Sequence, residues 1–156
     1  MIQKCLALGI AVALAISTGQ AVADNEHRPV IQGGGTSIVT GGGPGLAPVI
    51  TRFGFNWRDG EGKFECLALI PTAPAGATGS GSFDKNIMYV TGNVLSADIR
   101  GPVATLRGLA TVTGLGAGTN LPFAATVEPG GPGARMILVV SGLTFDEIVN
   151  EGAISF

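Results

Sequence analysis

The sequence predicts an all-β fold, an antiparallel sandwich or small barrel of about seven or eight strands. Three observations predict it. Beyond residue 49 apolar residues recur with a period of two, the repeat of a half-buried strand and not the 3.6 of a helix. Turn residues separate the apolar runs at short intervals, as in Asp59-Gly60, Gly101-Pro102 and Gly130-Gly131-Pro132-Gly133. No long amphipathic segment follows residue 23.

The chain opens with Lys4, an apolar run over residues 6–16 and the triplet Ala21-Val22-Ala23 before the polar Asp24-Asn25-Glu26. A charged head, a short apolar stretch and an A-x-A end are the parts of a secretory signal peptide over 1–23, so a secreted or periplasmic location is expected. The run is shorter than the ~20 residues a spanning helix needs, and no membrane-spanning segment is expected once the signal is removed. Cys5 lies inside the signal without the neighbours of a lipid-anchor site.

Residues 24–48 read as a Gly-rich flexible leader. Gly33-Gly34-Gly35 and Gly41-Gly42-Gly43 bracket Thr36–Thr40, with room for a short edge strand at 37–40. No Gly-Lys-Ser or Gly-Lys-Thr follows the glycines, which removes a phosphate loop. Residues 49–156 read as a single β domain.

In the first strand of that domain Phe53, Phe55 and Trp57 share one face, and Arg52, Asn56 and Arg58 the other. Asp59-Gly60 with Glu61-Gly62 reads as a hairpin turn. Lys63–Ile70 follows, with Phe64, Cys66 and Ala68 on the apolar face, and residues 71–82 read as a loop. Residues 86–100 form a long strand whose apolar face switches between Met88/Val90 and Leu95/Ala97/Ile99, and Gly92 is the expected bulge. Gly101-Pro102 turns the chain into 103–114, where Ala104, Leu106, Ala110 and Val112 share a face. Residues 121–128 repeat the pattern with Phe123, Ala125 and Val127 inward. Arg135–Ser141 is apolar on both faces and so reads as central. One short helical turn is expected near 144–150, then a last strand at 153–156.

The mature chain has a single cysteine, Cys66, which excludes an internal disulfide. On its apolar face it is expected to be buried and reduced. Charged residues are 13% of the chain and the net charge is −2. No basic stripe exists to follow a phosphate backbone, so no nucleic-acid partner is expected. The one histidine, His27, lies in the leader without a rigid partner, which disfavours Ser-His-Asp and Cys-His catalysis. Zinc would need more Cys or His than the domain has. A carboxylate pair would suffice for a glycosidase. The candidates are Asp59, Glu61, Glu65, Asp84, Asp98, Glu128, Asp146, Glu147 and Glu151, and nothing in their spacing pairs them. Asp59 and Glu61 lie in a loop too short for an EF-hand. Trp57 is expected in the core beside Phe53 and Phe55, and Tyr89 in the core with its hydroxyl at the rim. No catalytic, cofactor-binding or metal-ligating residue is assigned, and no cofactor is expected; the ligand-binding residues are open.

Several stretches occur in sequence: Gly33-Gly34-Gly35, Phe53-Gly54-Phe55-Asn56, Tyr89-Val90-Thr91-Gly92-Asn93-Val94, residues 104–114, Phe123–Glu128 with Gly131-Pro132-Gly133, and Glu151-Gly152-Ala153-Ile154. Together they resemble the small all-β domain that follows choice-of-anchor modules in secreted bacterial proteins. The turn Glu128-Pro129-Gly130-Gly131-Pro132-Gly133 departs from that family's Asp before Gly-Glu-Pro-Gly. The resemblance implies an exported accessory domain without established catalysis and carries over no functional residue.

The leading expectation is therefore an exported, non-catalytic β domain with a structural or binding role and an envelope or extracellular partner. Three alternatives stand beside it. The first is a small barrel around an apolar ligand, which inward Ala104, Gly108, Ala110 and Ala125 would leave room for. The second is a barrel isomerase or cyclase. The third is an outer-membrane barrel ending at Phe156, although one Trp and one Tyr make no aromatic girdles.

Overall fold

The structure is a computed structural model that describes residues 29–40, 48–72 and 82–156. The signal peptide, Cys5 and His27 lie outside the described residues, as do most of the loop read over 71–82 and the second glycine run. Eight strands follow one another: β1 (Ile31–Val39), β2 (Ile50–Arg58), β3 (Glu61–Pro71), β4 (Phe83–Arg100), β5 (Val103–Gly114), β6 (Gly118–Val127), β7 (Arg135–Val140) and β8 (Leu143–Ser155). Each pairs antiparallel with the next, and β1 pairs with β8, so the sheet closes into a barrel. The all-β expectation holds, in its barrel form.

The turns follow their residues. Asp59 and Gly60 have φ of 54° and 93°, and Ser141 and Gly142 have 54° and 74°. Two successive positive φ values make the tight turn whose twist matches a hairpin. The β4–β5 ladder is long, running from Met88↔Gly114 to Arg100↔Val103.

The interior is filled, and apolar except for Ser37, Thr51 and Glu147. Ile31, Phe64, Val90, Leu106, Val127, Met136 and Leu138 are at most 2% exposed. Phe64 and Phe123 meet tilted with ring centroids 5.1 Å apart, and Phe55 stacks on Phe64 at 6.3 Å. The Phe123 ring lies where a side chain on Gly92 or Gly108 would go: a Cβ on either would stand 2.8 Å from its Cε1. Phe55 occupies the space over Gly33 in the same way, 2.5 Å from the site of a Cβ. An eight-stranded barrel is just wide enough for side chains to fill, and here large rings from two strands fit over glycines of the others.

Three sequence expectations are corrected. The leader over 24–48 contains β1, nine residues long and paired on both sides, so 37–40 is no edge strand. Its glycines serve close approach: a Cβ on Gly35 would lie 1.9 Å from the Glu151 carbonyl oxygen, and one on Gly152 2.0 Å from that of Gly34. The helical turn near 144–150 is strand, continuous with 153–156 in β8, because Phe145, Glu147 and Val149 alternate inward. The switch of facing in β4 occurs, but the bulge is at Leu95, between Val94↔Gly108 and Ser96↔Arg107. Leu95 is 60% exposed while Ala97 packs on the core. Gly92 instead stays in regular pairing beneath Phe123.

Candidate functional site

Two places on the barrel carry chemistry, one sealed inside and one on the outer face. Inside, β1, β2 and β8 bring together Ser37, Thr51 and Glu147, each at most 1% exposed. Ser37 pairs with Thr51 across β1–β2, and Ser37 with Val149 across β1–β8, which sets Glu147 beside both hydroxyls. Ser37 Oγ donates to Glu147 Oε2 at 2.5 Å, Thr51 Oγ1 donates to the same oxygen, and the two hydroxyl oxygens also meet. Burial, opposed by the two hydroxyls, pushes the Glu147 carboxyl above its ordinary range. Its Oε1 has no hydrogen-bond partner among the described residues.

Cys66 on β3 lies next to this group. Burial, and then the nearby Glu147 charge, pushes its thiol well above the usual range, although Thr51 acts in the other direction. The thiol is buried and free. A thiol held neutral is a poor nucleophile. The cavity beside these residues, lined by Met88, Val90, Leu138 and Phe145 among others, has a volume of about 10 Å³. Pockets that hold small molecules run to hundreds of Å³.

The other carboxylates read from the sequence lie outside the core. Asp59, Glu61, Glu65, Asp84, Glu128 and Glu151 are exposed, and Asp98 and Asp146 are half-buried. Asp98 pairs with Arg100, and Asp146 takes a two-pronged bond from Arg135, with Nε donating to Oδ1 at 2.8 Å and Nη2 to Oδ2 at 2.5 Å. That bond holds the Asp146 carboxyl below the usual range. No three of the His, Cys, Asp and Glu side chains among the described residues are placed to hold a metal ion. Trp57 packs against the core, as expected. Tyr89 does not: Met88 and Val90 point inward at 2% and 1% exposure, so Tyr89 stands on the outer face.

The outer face of β2–β5 forms a trough. The register sets Arg52, Leu67, Tyr89 and Thr113 in one row across the strands, Gly54, Glu65, Thr91 and Thr111 in the next, and Asn56, Lys63, Asn93 and Leu109 in the third. The middle row carries short side chains at Thr91 and Thr111 and none at Gly54, over which the Glu65 side chain leans, with Oε1 3.4 Å from where a Cβ on Gly54 would stand; the flanking rows carry the longer Arg52, Leu67, Tyr89, Lys63 and Leu109. The depression over the middle and third rows has a volume of about 730 Å³, and one of about 440 Å³ adjoins it between Arg52, Glu65 and Tyr89. Its polar groups are already ordered. Lys63 Nζ donates to Asn93 Oδ1 at 2.6 Å, the Lys63 amide to Asn56 Oδ1 at 3.0 Å, and Tyr89 OH to Glu65 Oε2 at 3.3 Å. Loss of solvent and then the Glu65 carboxylate raise the Tyr89 hydroxyl above its ordinary range.

Neither place was singled out from the sequence. Alternation from Phe145 through Glu147 to Val149 marks Glu147 as inward, but only once the segment is read as strand. The trough has no linear signature, because each of its rows draws on four strands.

Comparison with family models, with curated proteins and with solved structures finds no match. The barrel and these two sites therefore define the class to which the chain can be assigned, a small closed antiparallel β-barrel with a solid core.

Proposed function

We propose that this chain is an exported, non-catalytic β-barrel module with a structural or binding role in the bacterial envelope or outside the cell. The filled interior is the observation that carries this reading. Among the described residues the one buried carboxyl, the thiol and the two hydroxyls beside it have no space for a reacting molecule, and the other carboxyl groups stand outside the core. An apolar ligand inside the barrel, or an isomerase or cyclase site there, would need a chamber where Phe55, Phe64 and Phe123 now pack.

The distribution of charge supports a water-facing wall. Arg52, Lys63, Glu65, Arg107 and Arg135 are exposed on the outside, over an apolar inside. A barrel in a bilayer has the reverse arrangement, an apolar belt over a polar interior. No helix among the described residues is long and apolar enough to cross a membrane.

Fractionation of cells producing the native chain, combined with mass spectrometry of the N-terminus, tests the reading. The protein is expected in periplasm or medium and beginning at Asp24. An intact Met1 on protein confined to the cytoplasm would overturn it.

A further inference from the structure

The trough on the outer face has a shape and a charge that select a ligand. Its floor crosses four strands, so at a spacing of about 4.8 Å it is about 14 Å long. The flanking rows are four residues apart along each strand, about 13 Å between their Cα atoms. Side chains standing on both rows narrow this to a channel open at the top. What projects into it is hydroxyl, amide and carboxylate, with the Tyr89 ring at one side: Thr91 and Thr111 from the floor, Asn56 and Asn93 from one wall. The Oδ1 atoms of Asn56 and Asn93 already accept from Lys63, which orders both amides and leaves their NH₂ groups as the donors.

The charge is asymmetric. Arg52 and Lys63 stand on opposite walls, and neither belongs to any of the ion pairs formed among the described residues, which join Arg58 to Asp59, Arg100 to Asp98 and Arg135 to Asp146. One carboxylate, Glu65, lies between them, bonded to Tyr89. The trough is thus net positive on a chain whose net charge is −2. A peptide adding itself as a strand is not accommodated in the trough, because there β2, β3 and β4 are each paired on both sides.

We propose that the trough binds an acidic oligosaccharide, a short chain of pyranose rings bearing carboxylates, laid across β2–β5. Arg52 and Lys63 each take a carboxylate from one side of the chain by charge-assisted hydrogen bonds. Glu65 accepts from ring hydroxyls, Thr91, Thr111 and the two amides complete the polar contacts, and the Tyr89 ring packs against an apolar ring face. The proposal rests on the reading of the barrel as an exported binding module and names the ligand class and the surface.

Titration calorimetry of the exported protein with a galacturonate trimer, and with the uncharged galactose trimer of the same linkage, tests it. The galacturonate trimer is expected to bind, more weakly as salt rises, and the galactose trimer at least about tenfold more weakly, the ratio that one lost charge-assisted bond gives. Gly54→Leu, which pushes the Glu65 side chain off Gly54 into the trough, and the pair Arg52→Gln with Lys63→Gln should each lower affinity for galacturonate by about tenfold or more. Arg107→Gln, beyond the trough on β5, should leave it unchanged, and circular dichroism should show all the variants folded. Equal binding of the two trimers would overturn the assignment to acidic sugars. Galacturonate binding that survives both Gly54→Leu and the double substitution would overturn the trough as its site. No binding of either trimer would remove the proposal altogether. In each case the exported-module reading is judged separately, by fractionation.

Discussion

Glu147 is the residue with most at stake in this fold, a carboxyl at 0% exposure whose partners are two hydroxyls and no cation. Its folded pKa is raised above an ordinary 4.5, chiefly by burial. Below the ordinary value the group is neutral in both the folded and the unfolded chain and favours neither. As pH rises, the unfolded chain ionises first and the folded state is progressively disfavoured, until pH passes the folded pKa. Glu147→Gln keeps the shape and removes the titration. Denaturant unfolding at pH 4.5, 6 and 8 should show the variant gaining on the parent as pH rises from 4.5, and the gain should level off once pH passes the folded pKa. The comparison between chains matters, because Asp146 titrates with the opposite sign: held low by Arg135, it adds stability above its ordinary range that is lost as pH falls. A constant difference between variant and parent across the three pH values would mean that Glu147 is ionised in the folded state. Cys66 gives a second test of the same region. A buried thiol with a raised pKa should react with a thiol reagent only after denaturant is added, and rapid labelling of the native protein would show that this part of the core opens readily.

The β4–β5 pair shows what single residues do within an element. Leu106 is 0% exposed and paired with Ala97, whereas Thr111 stands outward in the trough. Leu106→Asp should unfold the barrel, because it buries a charge without a partner. Thr111→Asp should change stability by no more than about 0.5 kcal/mol, the ordinary range for a surface substitution. The opposite ranking in thermal melts would mean that β5 is displaced by one residue. Strand faces in β2, β3, β5 and β6 could be read from the sequence because polar and apolar residues alternate cleanly there. The facing of Tyr89 could have been read in the same way, from Met88 and Val90. Two features could not. In β1 the inward positions include Gly33 and Gly35, so there is no hydrophobic alternation to see, and a glycine needed for close approach looks the same as one in a linker. In β8 Asp146-Glu147 interrupts the apolar pattern, since one of the two acids faces inward. The trough was hidden for a different reason: its rows exist only once the register of four strands is known.

At the scale of the molecule, closure is the decisive property. β1 and β8 are the ends of the sheet, and their pairing removes both open edges at once. Gln32 pairs with Ser155, so the two ends of the barrel's chain lie side by side. The order of the strands around the barrel therefore depends little on where the chain is cut. A circular permutant that joins residue 30 to residue 156 through a short glycine-serine linker, with new ends between Gly101 and Pro102, keeps every strand neighbour. It should unfold in a single cooperative transition. A chain beginning at Val49 has the boundary that composition alone recommends, and it behaves differently. It lacks β1, exposes β2 and β8 as edges, and opens the core at Ile31, Ser37 and Glu147. It should show no cooperative transition and should aggregate. Cooperative unfolding of the 49–156 chain, with stability near that of the parent, would mean that β1 is dispensable and that the barrel can close without its glycine seam.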